Sequence, residues 1–242
     1  MGAGIASLAA LLDRSDIRRG GALGRTGLPG VPSAFPQLDA ELPGGGWPAG
    51  ALTEIFPAHE GIGELRLLGP ALAALSGRGL RLVWIAPPYL PYPPALAAAG
   101  IDISKLVIVR TRSPKDMLWA AEQALCSNAC GAVLAWPRMA KYAELRRLQI
   151  AAEGGRGLAF IFRSPETAGE SSPAALRIAL GTGQGGLAVS VFKRRGAPLA
   201  SPILLPAMPP AARARSSNHR HVDRHPISAA AARGLSARLL RA

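Results

Sequence analysis

The 242-residue chain has few cysteines, few aromatic residues and no long apolar run. Its two cysteines, Cys126 and Cys130, have no histidine or further cysteine nearby, so they cannot complete a zinc site. No segment approaches the roughly 18 apolar residues that a membrane span requires. The N-terminus lacks the basic region of a signal peptide, and Asp13 and Asp16 interrupt its apolar stretch. These absences predict a cytoplasmic protein with reduced thiols, no metal site and no membrane contact.

Acidic residues are also scarce, which leaves a large positive charge. The chain has 15 Asp and Glu against 28 Lys and Arg, a formal net charge of +13, and only four of the basic residues are lysines. Residues 206–242 hold seven basic residues and one acidic residue. A basic tail indicates binding to nucleic acid or to an acidic partner surface, and a solvated tail without a partner is the alternative.

The chain divides into three parts by composition. A hydrophobic content of 49% excludes wholesale disorder, while 28 glycines and 22 prolines predict long loops. Residues 1–37 comprise a helix over 6–19 and a Gly/Pro-rich linker over 20–36. Residues 38–205 form the folded core. Residues 206–242 form a basic tail that the composition predicts to be disordered.

Short apolar segments alternate with helical patterns through the core. The pattern predicts strands over 51–56, 80–86, 105–109, 131–136 and 157–163 and helices over 61–77, 93–99, 114–128 and 138–153. Gly69-Pro70 is expected to kink or restart the first of these helices. Residues 174–180 and 187–195 predict an antiparallel hairpin. The fold class is therefore α/β, a parallel sheet flanked by helices with a C-terminal antiparallel hairpin.

The loop over 57–64 (PAHEGIGE) lies where an α/β protein would place a phosphate-binding loop. Such a loop needs a Lys for the phosphates and a Ser or Thr for magnesium, and both are missing. A carboxylate about 4 Å from a phosphate adds up to about 4 kcal/mol of repulsion at an effective dielectric constant of 20. The sequence therefore predicts a degenerate phosphate loop, without cofactor, that contains Pro57, His59, Glu60, Gly61, Gly63 and Glu64.

Several segments in order resemble the core of the RecA-type ATPases. They are Gly44–Gly50 (GGGWPAG), Glu54–Phe56, Ser164–Thr167 and Val191–Arg195, and the resemblance covers about residues 38–198. It implies a RecA-like, P-loop-NTPase-like fold. Pro88 stands where the family has its catalytic glutamate, and Trp136 stands where its magnesium-binding acid ends the fourth strand. With both carboxylates and the phosphate-loop residues missing, the chain is expected not to be an enzyme and to have no catalytic residues.

The combination of LPGGGWPAGALTE with the closing VFKRRG resembles the ImuA family, sometimes described as SulA-like. The resemblance implies an accessory role in SOS mutagenesis, as a RecA-like protein of damage-induced, error-prone translesion DNA synthesis. It implies an ImuB-like Y-family polymerase homologue and an alternative replicative-type polymerase as partners. RecA itself and DNA, through the basic tail, are further candidates. The alternative from another class is a SulA-type cell division inhibitor that binds FtsZ, and an ATP-dependent recombinase is nearly excluded.

Candidate contact residues fall in the hairpin region and in the tail. Basic residues near the second-loop region suit phosphate contact, although a solvated basic edge explains them equally well. The final segment has leucines on one helical face, as in helices that form on binding. The candidates for DNA or partner binding are Arg163, Arg177, Lys193, Arg194, Arg195, Arg213, Arg215, Leu235 and Leu239.

Overall fold

The computed structural model describes residues 30–137 and 139–206. The predicted helix over 6–19 and the tail candidates Arg213, Arg215, Leu235 and Leu239 lie outside these residues. In chain order the elements are α1 (Pro36–Glu41), β1 (Leu52–Pro57), α2 (Glu64–Gly77), β2 (Arg81–Ile85), α3 (Pro93–Ala98), β3 (Leu106–Val109), α4 (Pro114–Cys126), β4 (Cys130–Ala135), α5 (Tyr142–Glu153), β5 (Leu158–Phe162), β6 (Leu176–Gly183), β7 (Gly186–Lys193) and β8 (Ile203–Pro206), with short 3-10 helices at Ile103–Lys105 and Pro165–Gly169.

The eight strands form one sheet in the order β3-β2-β4-β5-β1-β6-β7-β8. Strands β1 to β6 run parallel to one another. Strand β7 pairs antiparallel with both β6 and β8. The predicted α/β class, a mostly parallel sheet with a C-terminal antiparallel hairpin, is confirmed. Strand β1 lies inside the sheet, between β5 and β6, so the loop that follows it leaves from the middle of the sheet.

Each face of the sheet is covered by its own apolar cluster. Successive residues of a strand point to opposite faces of the sheet, so neighbouring residues of β5 belong to different clusters. Phe160 packs in the cluster that contains Leu68 and Leu72 of α2. Ile161 packs in the cluster that contains Met117 of α4 and Leu145 of α5. Because the strands are buried on both faces of the sheet, their sequences are continuous apolar runs.

The first long helix differs from its prediction in two ways. It begins at Glu64 rather than at residue 61, and it continues through Pro70 without a restart. Its buried residues lie on both sides of the proline and include Leu67, Leu68, Ala71 and Leu72. This packing against the sheet holds the helix together despite the hydrogen bond that the proline cannot donate.

Two parts of the chain carry structure where the sequence pattern indicated little. Of the predicted linker over 20–36, residues 30–36 are described. Val31 forms an antiparallel bridge with Trp47, and the buried side chain of Phe35 belongs to the main apolar cluster. The two backbone segments lie too close together here for a side chain at residue 46, because a Cβ added at Gly46 would lie 2.3 Å from the Val31 carbonyl oxygen. At the other end, residues 203–206 form β8 beside β7.

Candidate functional site

The loop between β1 and α2, residues 58–63, emerges at the carboxyl edge of the sheet. Open α/β sheets bind their ligands outside this edge. The Ala58 amide donates to the Leu180 carbonyl oxygen at 2.9 Å, so the loop starts fixed to the neighbouring strand β6. Beyond that anchor, His59, Glu60 and Gly61 are exposed. The predicted phosphate-loop residues are thus found together, between the end of β1 and the start of α2.

The carboxylate of Glu64 occupies the amide groups of this loop. One oxygen accepts a hydrogen bond from the Gly61 amide and the other from the Gly63 amide, both at 3.1 Å. Gly61 and Gly63 have φ of 79° and 122°, a region that favours glycine. As the first residue of α2, Glu64 also places a negative charge at the positive end of the helix. The loop therefore supplies its own anion.

Glu60 contacts the loop after β2 instead of the start of α2. A hydrogen bond between Tyr89 and the Glu60 side chain raises the pKa of the Tyr89 hydroxyl, and the negative charge of Glu60 adds to the effect. The ring of Tyr89 nevertheless stays exposed. This contact links the loop after β1 to the loop after β2 and adds a second carboxylate to the same edge.

The positions that the resemblance assigns to a catalytic base and a metal ligand hold no carboxylate. Pro88 is exposed in the loop after β2. Trp136, just after β4, stacks on Phe162 with ring centroids 4.5 Å apart and an interplanar angle of 4°. It also contacts Trp84, at 5.8 Å between centroids. An apolar ring cluster thus fills the end of β4, where a metal site would need oxygen ligands.

A charge cluster lies buried in the sheet close by. Glu54 of β1 is fully buried and bonds two arginines, Arg163 Nη1 at 3.0 Å and Arg177 Nε at 2.6 Å. Arg163 also donates to Glu170 Oε2 at 2.6 Å and to the Ala140 carbonyl oxygen at 3.3 Å. The two Glu54 pairs join β1, β6 and the segment after β5 away from water, while the Glu170 side chain is 56% exposed.

This burial corrects the interpretation of Arg163 and Arg177 as candidates for DNA contact. Their side chains are 3% and 7% exposed, and both are committed to Glu54. Arg177 Nη2 has no hydrogen-bond partner, and its guanidinium lies beside two rings, 5.1 Å from the Phe56 centroid and 5.0 Å from the Phe192 centroid. Neither side chain is free to contact a phosphate at the surface.

The remaining hairpin candidates occupy different environments. Lys193 is partly buried and donates to the Ser172 carbonyl oxygen at 2.6 Å. Burial lowers the Lys193 pKa, and the nearby Arg177 charge lowers it further. Arg194 bonds Glu41 Oε2 at 2.8 Å and ties α1 to the end of β7. Of the five hairpin candidates only Arg195 is exposed, which leaves the hairpin little cationic surface.

Sequence reasoning did not identify Glu54 as the centre of this cluster. The available signal was a carboxylate within the apolar strand ALTEIF, because a charge in a buried strand requires a partner.

Among residues 30–137 and 139–206, no group of three His, Cys, Asp or Glu side chains is placed to hold a metal ion. In the same part of the chain, no helix is both long and apolar enough to cross a membrane.

These features define an α/β protein with a mostly parallel sheet, whose loop after the central strand β1 is filled by its own glutamate. The chain is 30% identical over 141 residues to Protein ImuA of Caulobacter vibrioides, which covers 55% of the chain and 58% of that protein. This similarity to a Protein ImuA agrees with the resemblance seen in the sequence. The match spans less than two thirds of the length of that relative.

A second group of relatives has another name. The chain is 31% identical over 100 residues to the Cell division inhibitor SulA of Edwardsiella piscicida, covering 41% of the chain and 60% of that protein. It is 30% identical over 112 residues to the SulA of Photorhabdus laumondii, covering 46% and 63%. No protein-family model matches the chain. Both family names that the sequence suggested are therefore found among its relatives.

Proposed function

We propose that this chain is a non-catalytic, RecA-like accessory protein of the SOS response that acts in error-prone translesion DNA synthesis. It works with an ImuB-like Y-family polymerase homologue and an alternative replicative-type polymerase. RecA is a further candidate partner, and DNA is contacted through the basic tail. The observation that carries the proposal is the pair of hydrogen bonds from the Gly61 and Gly63 amides to Glu64.

A nucleotide would have to overcome this arrangement at an energetic cost. Its phosphate would have to displace the Glu64 carboxylate from the two amides, and each charge-assisted hydrogen bond contributes about 1.5–3 kcal/mol. The displaced carboxylate would then remain near the phosphate, where like charges repel each other. Neither the loop nor the start of α2 has a Lys, Ser or Thr to compensate. Both terms favour a loop that binds no ATP.

The edge positions after β2 and β4 support the same conclusion. Pro88 offers no side-chain oxygen to polarise a water molecule, and Trp136 is stacked on Phe162. The positions that the resemblance assigns to three separate requirements of ATP hydrolysis, the phosphate cradle, the base and the metal ligand, all hold other residues. A folded sheet without nucleotide chemistry still offers surfaces to other proteins, which is the property of an adaptor. The match to Protein ImuA supports the family in which we place this role.

We expect the purified protein to show no magnesium-dependent ATP hydrolysis and no micromolar ATP binding, because Glu60 and Glu64 keep the loop negative. Calorimetric titration measures ATP binding and phosphate release measures ATP hydrolysis, with an active RecA protein as positive control for both. The Glu64→Gln variant removes the charge but keeps an acceptor, and Glu122→Gln is its control away from the loop. Turnover that a substitution within 57–64 abolishes, or micromolar binding by the unmodified protein, would contradict the proposal.

A SulA-type division inhibitor that binds FtsZ is the second candidate function. The specific observation in its favour is the similarity to two SulA proteins at 31% and 30% identity. The feature that favours the adaptor is the basic tail, with seven basic residues and one acidic residue in 206–242. Such a charge suits a complex that contains DNA better than a small division inhibitor. The two functions predict different binding partners, so one pair of assays separates them.

We expect the protein to retain the ImuB-like polymerase homologue in a pull-down and to leave FtsZ assembly unaffected. In the helix that the sequence predicts for the final segment, Leu235 and Leu239 are one turn apart, and anchors so spaced dock in apolar grooves. Changing both to Asp should therefore weaken retention of a partner at least tenfold. The matched control is Ala230→Asp with Ala237→Asp, which adds the same charge on the opposite face of the same segment. Stoichiometric inhibition of FtsZ assembly without a retained polymerase would replace the adaptor by the division inhibitor.

A further inference from the structure

Strand β3 lies at one edge of the sheet and is paired on one side only. Its four residues, Leu106–Val109, pair with β2, and no other strand in the described part of the chain pairs with its outer side. Val107 and Ile108 are each 37% exposed, although both are large and apolar. An uncovered edge strand is a template for pairing with a further strand, and natural proteins usually block such an edge.

The two edges of the sheet differ in this respect. At the opposite edge, β8 begins directly after Pro202 and ends in Pro206. A proline has no amide hydrogen and so limits pairing along an edge. Strand β3 contains no proline, no charged residue and no bulge, since its register with β2 is unbroken from Leu106 to Val109. Of the two described edges, β3 is therefore the one that is open to a further strand.

The backbone of β3 presents hydrogen-bonding groups to its open side. The Ala86 amide donates to the Val109 carbonyl oxygen at 2.9 Å, so the backbone groups of Val109 face β2. Because the backbone groups of successive strand residues alternate in direction, the N–H and the C=O of Ile108 face away from β2. The Leu106 carbonyl oxygen faces the same way, while the Leu106 amide donates to the Ile103 carbonyl oxygen. These outward groups lie along one side of β3, where a further strand could pair with them.

Cationic residues stand at both ends of this edge strand. Lys105 directly precedes β3, and Arg110 and Arg112 follow it in exposed positions. Asp102 is the one acidic residue within residues 101–112. Its carboxylate accepts a hydrogen bond from the Ser104 amide at 2.9 Å. The strand therefore combines an uncharged, apolar centre with positive ends.

These charges disfavour a second copy of the chain as the strand that pairs with β3. If two copies paired antiparallel, Lys105 of one strand would lie near Arg110 and Arg112 of the other, at both ends of the pair. A parallel arrangement would bring each cation near its own counterpart. Like charges on paired strands are destabilising, so the edge suits a strand with acidic residues at its ends.

We propose that β3 binds an extended segment of a partner protein, with an apolar centre and acidic residues at both ends. The segment extends the sheet by one strand through backbone hydrogen bonds to Ile108 and Leu106. Its apolar side chains cover Val107 and Ile108, and its carboxylates lie near the cations that flank β3. The site is separate from the contacts proposed for residues 206–242, and it does not depend on which polymerase the chain assists.

A labelled peptide tests this site without any natural partner. The probe has alternating Val and Thr residues in its centre and a pair of acidic residues at each end, and an isomer of the same composition has its acidic residues in the centre. Both peptides carry the same charge, so the basic tail attracts them equally. We expect the probe to bind the full-length protein about tenfold more tightly than the isomer, as measured by fluorescence anisotropy. Hydrogen exchange at residues 106–110 should slow about fivefold when the probe binds, because the Ile108 amide becomes hydrogen-bonded.

Variants of Ile108 connect probe binding to the backbone of β3. Ile108→Pro removes the outward amide hydrogen and no hydrogen bond to β2, and edge strands tolerate proline in that orientation. It should weaken probe binding about tenfold, whereas Ile108→Val should leave it unchanged. Ile108→Glu keeps the amide but repels the acidic probe, and Leu204→Glu is its matched control on β8, where Leu204 is 57% exposed. Thermal unfolding followed by circular dichroism checks that each variant is folded.

Three results would overturn the inference. Equal affinity for the probe and its isomer, or no binding of either, would show that β3 does not recognise such a segment. Equal losses in Ile108→Glu and Leu204→Glu would show that binding follows net charge alone. Slow exchange at Ile108 in the protein without the probe would show that the edge is already paired, and sedimentation velocity would then distinguish a second copy from the chain itself. No polymerase homologue takes part in these assays, so its retention in the pull-down reports separately on the adaptor proposal.

Discussion

Replacing Glu54 with Leu should lower the free energy of unfolding by about 3–5 kcal/mol, since it leaves buried charges without their partner. Glu54 accepts from Arg163 at 3.0 Å and from Arg177 at 2.6 Å, and its own side chain is 0% exposed. Without the carboxylate, Arg177 would keep only its contacts with aromatic rings, which do not replace an ion pair. A typical domain has about 5–15 kcal/mol of stability, so the loss is a large part of the total.

Urea denaturation of the full-length protein measures this loss, and the chain offers a matched control. Glu122 pairs with Arg147 on the surface, where the two side chains are 23% and 65% exposed. Exposed pairs contribute about 0–1 kcal/mol, so Glu122→Leu should change the free energy of unfolding by no more than that. Similar losses in Glu54→Leu and Glu122→Leu would mean that Glu54 is not desolvated in solution.

A triple variant distinguishes the cost of unpaired charges from that of altered shape. Changing Glu54 to Leu together with Arg163 and Arg177 to Met removes every charge of the central triad. Apolar replacement of buried ion groups is often neutral or stabilising, so we expect recovery of much of the stability lost in Glu54→Leu. Recovery would be incomplete, because Glu170 and the Ala140 carbonyl oxygen would lose their hydrogen bonds from Arg163.

The strand and helix order was predictable because each element carries a strong local signal. Strands β2, β4 and β5 are short, largely apolar runs, and Ser113-Pro114 marks the start of α4. Packing decided what the local pattern could not. Pro70 stays within one helix because buried residues on both sides hold it to the sheet. Strand β8 consists of only four residues, Ile203–Pro206, and its pairing with β7 determines it more than its own sequence does.

Parts of the candidate site were predictable from single residues, and parts depended on distant partners. The missing Lys, Ser and Thr of the loop are visible in the sequence, and the structure adds that Glu64 accepts hydrogen bonds from the Gly61 and Gly63 amides. Arg163 and Arg177 looked like surface cations because their partner is 109 and 123 positions away along the chain. No local pattern reports such a pairing, since it depends on which strands become neighbours in the sheet.

Deleting residues 206–242 should weaken binding to single-stranded DNA strongly and make it much less sensitive to salt. The segment carries seven basic residues and one acidic residue. Each phosphate contact contributes about 0.7 to the slope of log K against log salt for a single strand, so loss of most contacts should lower the slope by about 3–5. Anisotropy titrations of a labelled oligonucleotide between 50 and 200 mM salt measure the change, with each of the two proteins examined at every salt concentration.

The slope that remains after the deletion then measures the contribution of the folded core. A slope that does not change on deletion would show that the tail makes no phosphate contacts, because a protein with fewer phosphate contacts releases fewer counterions from the DNA.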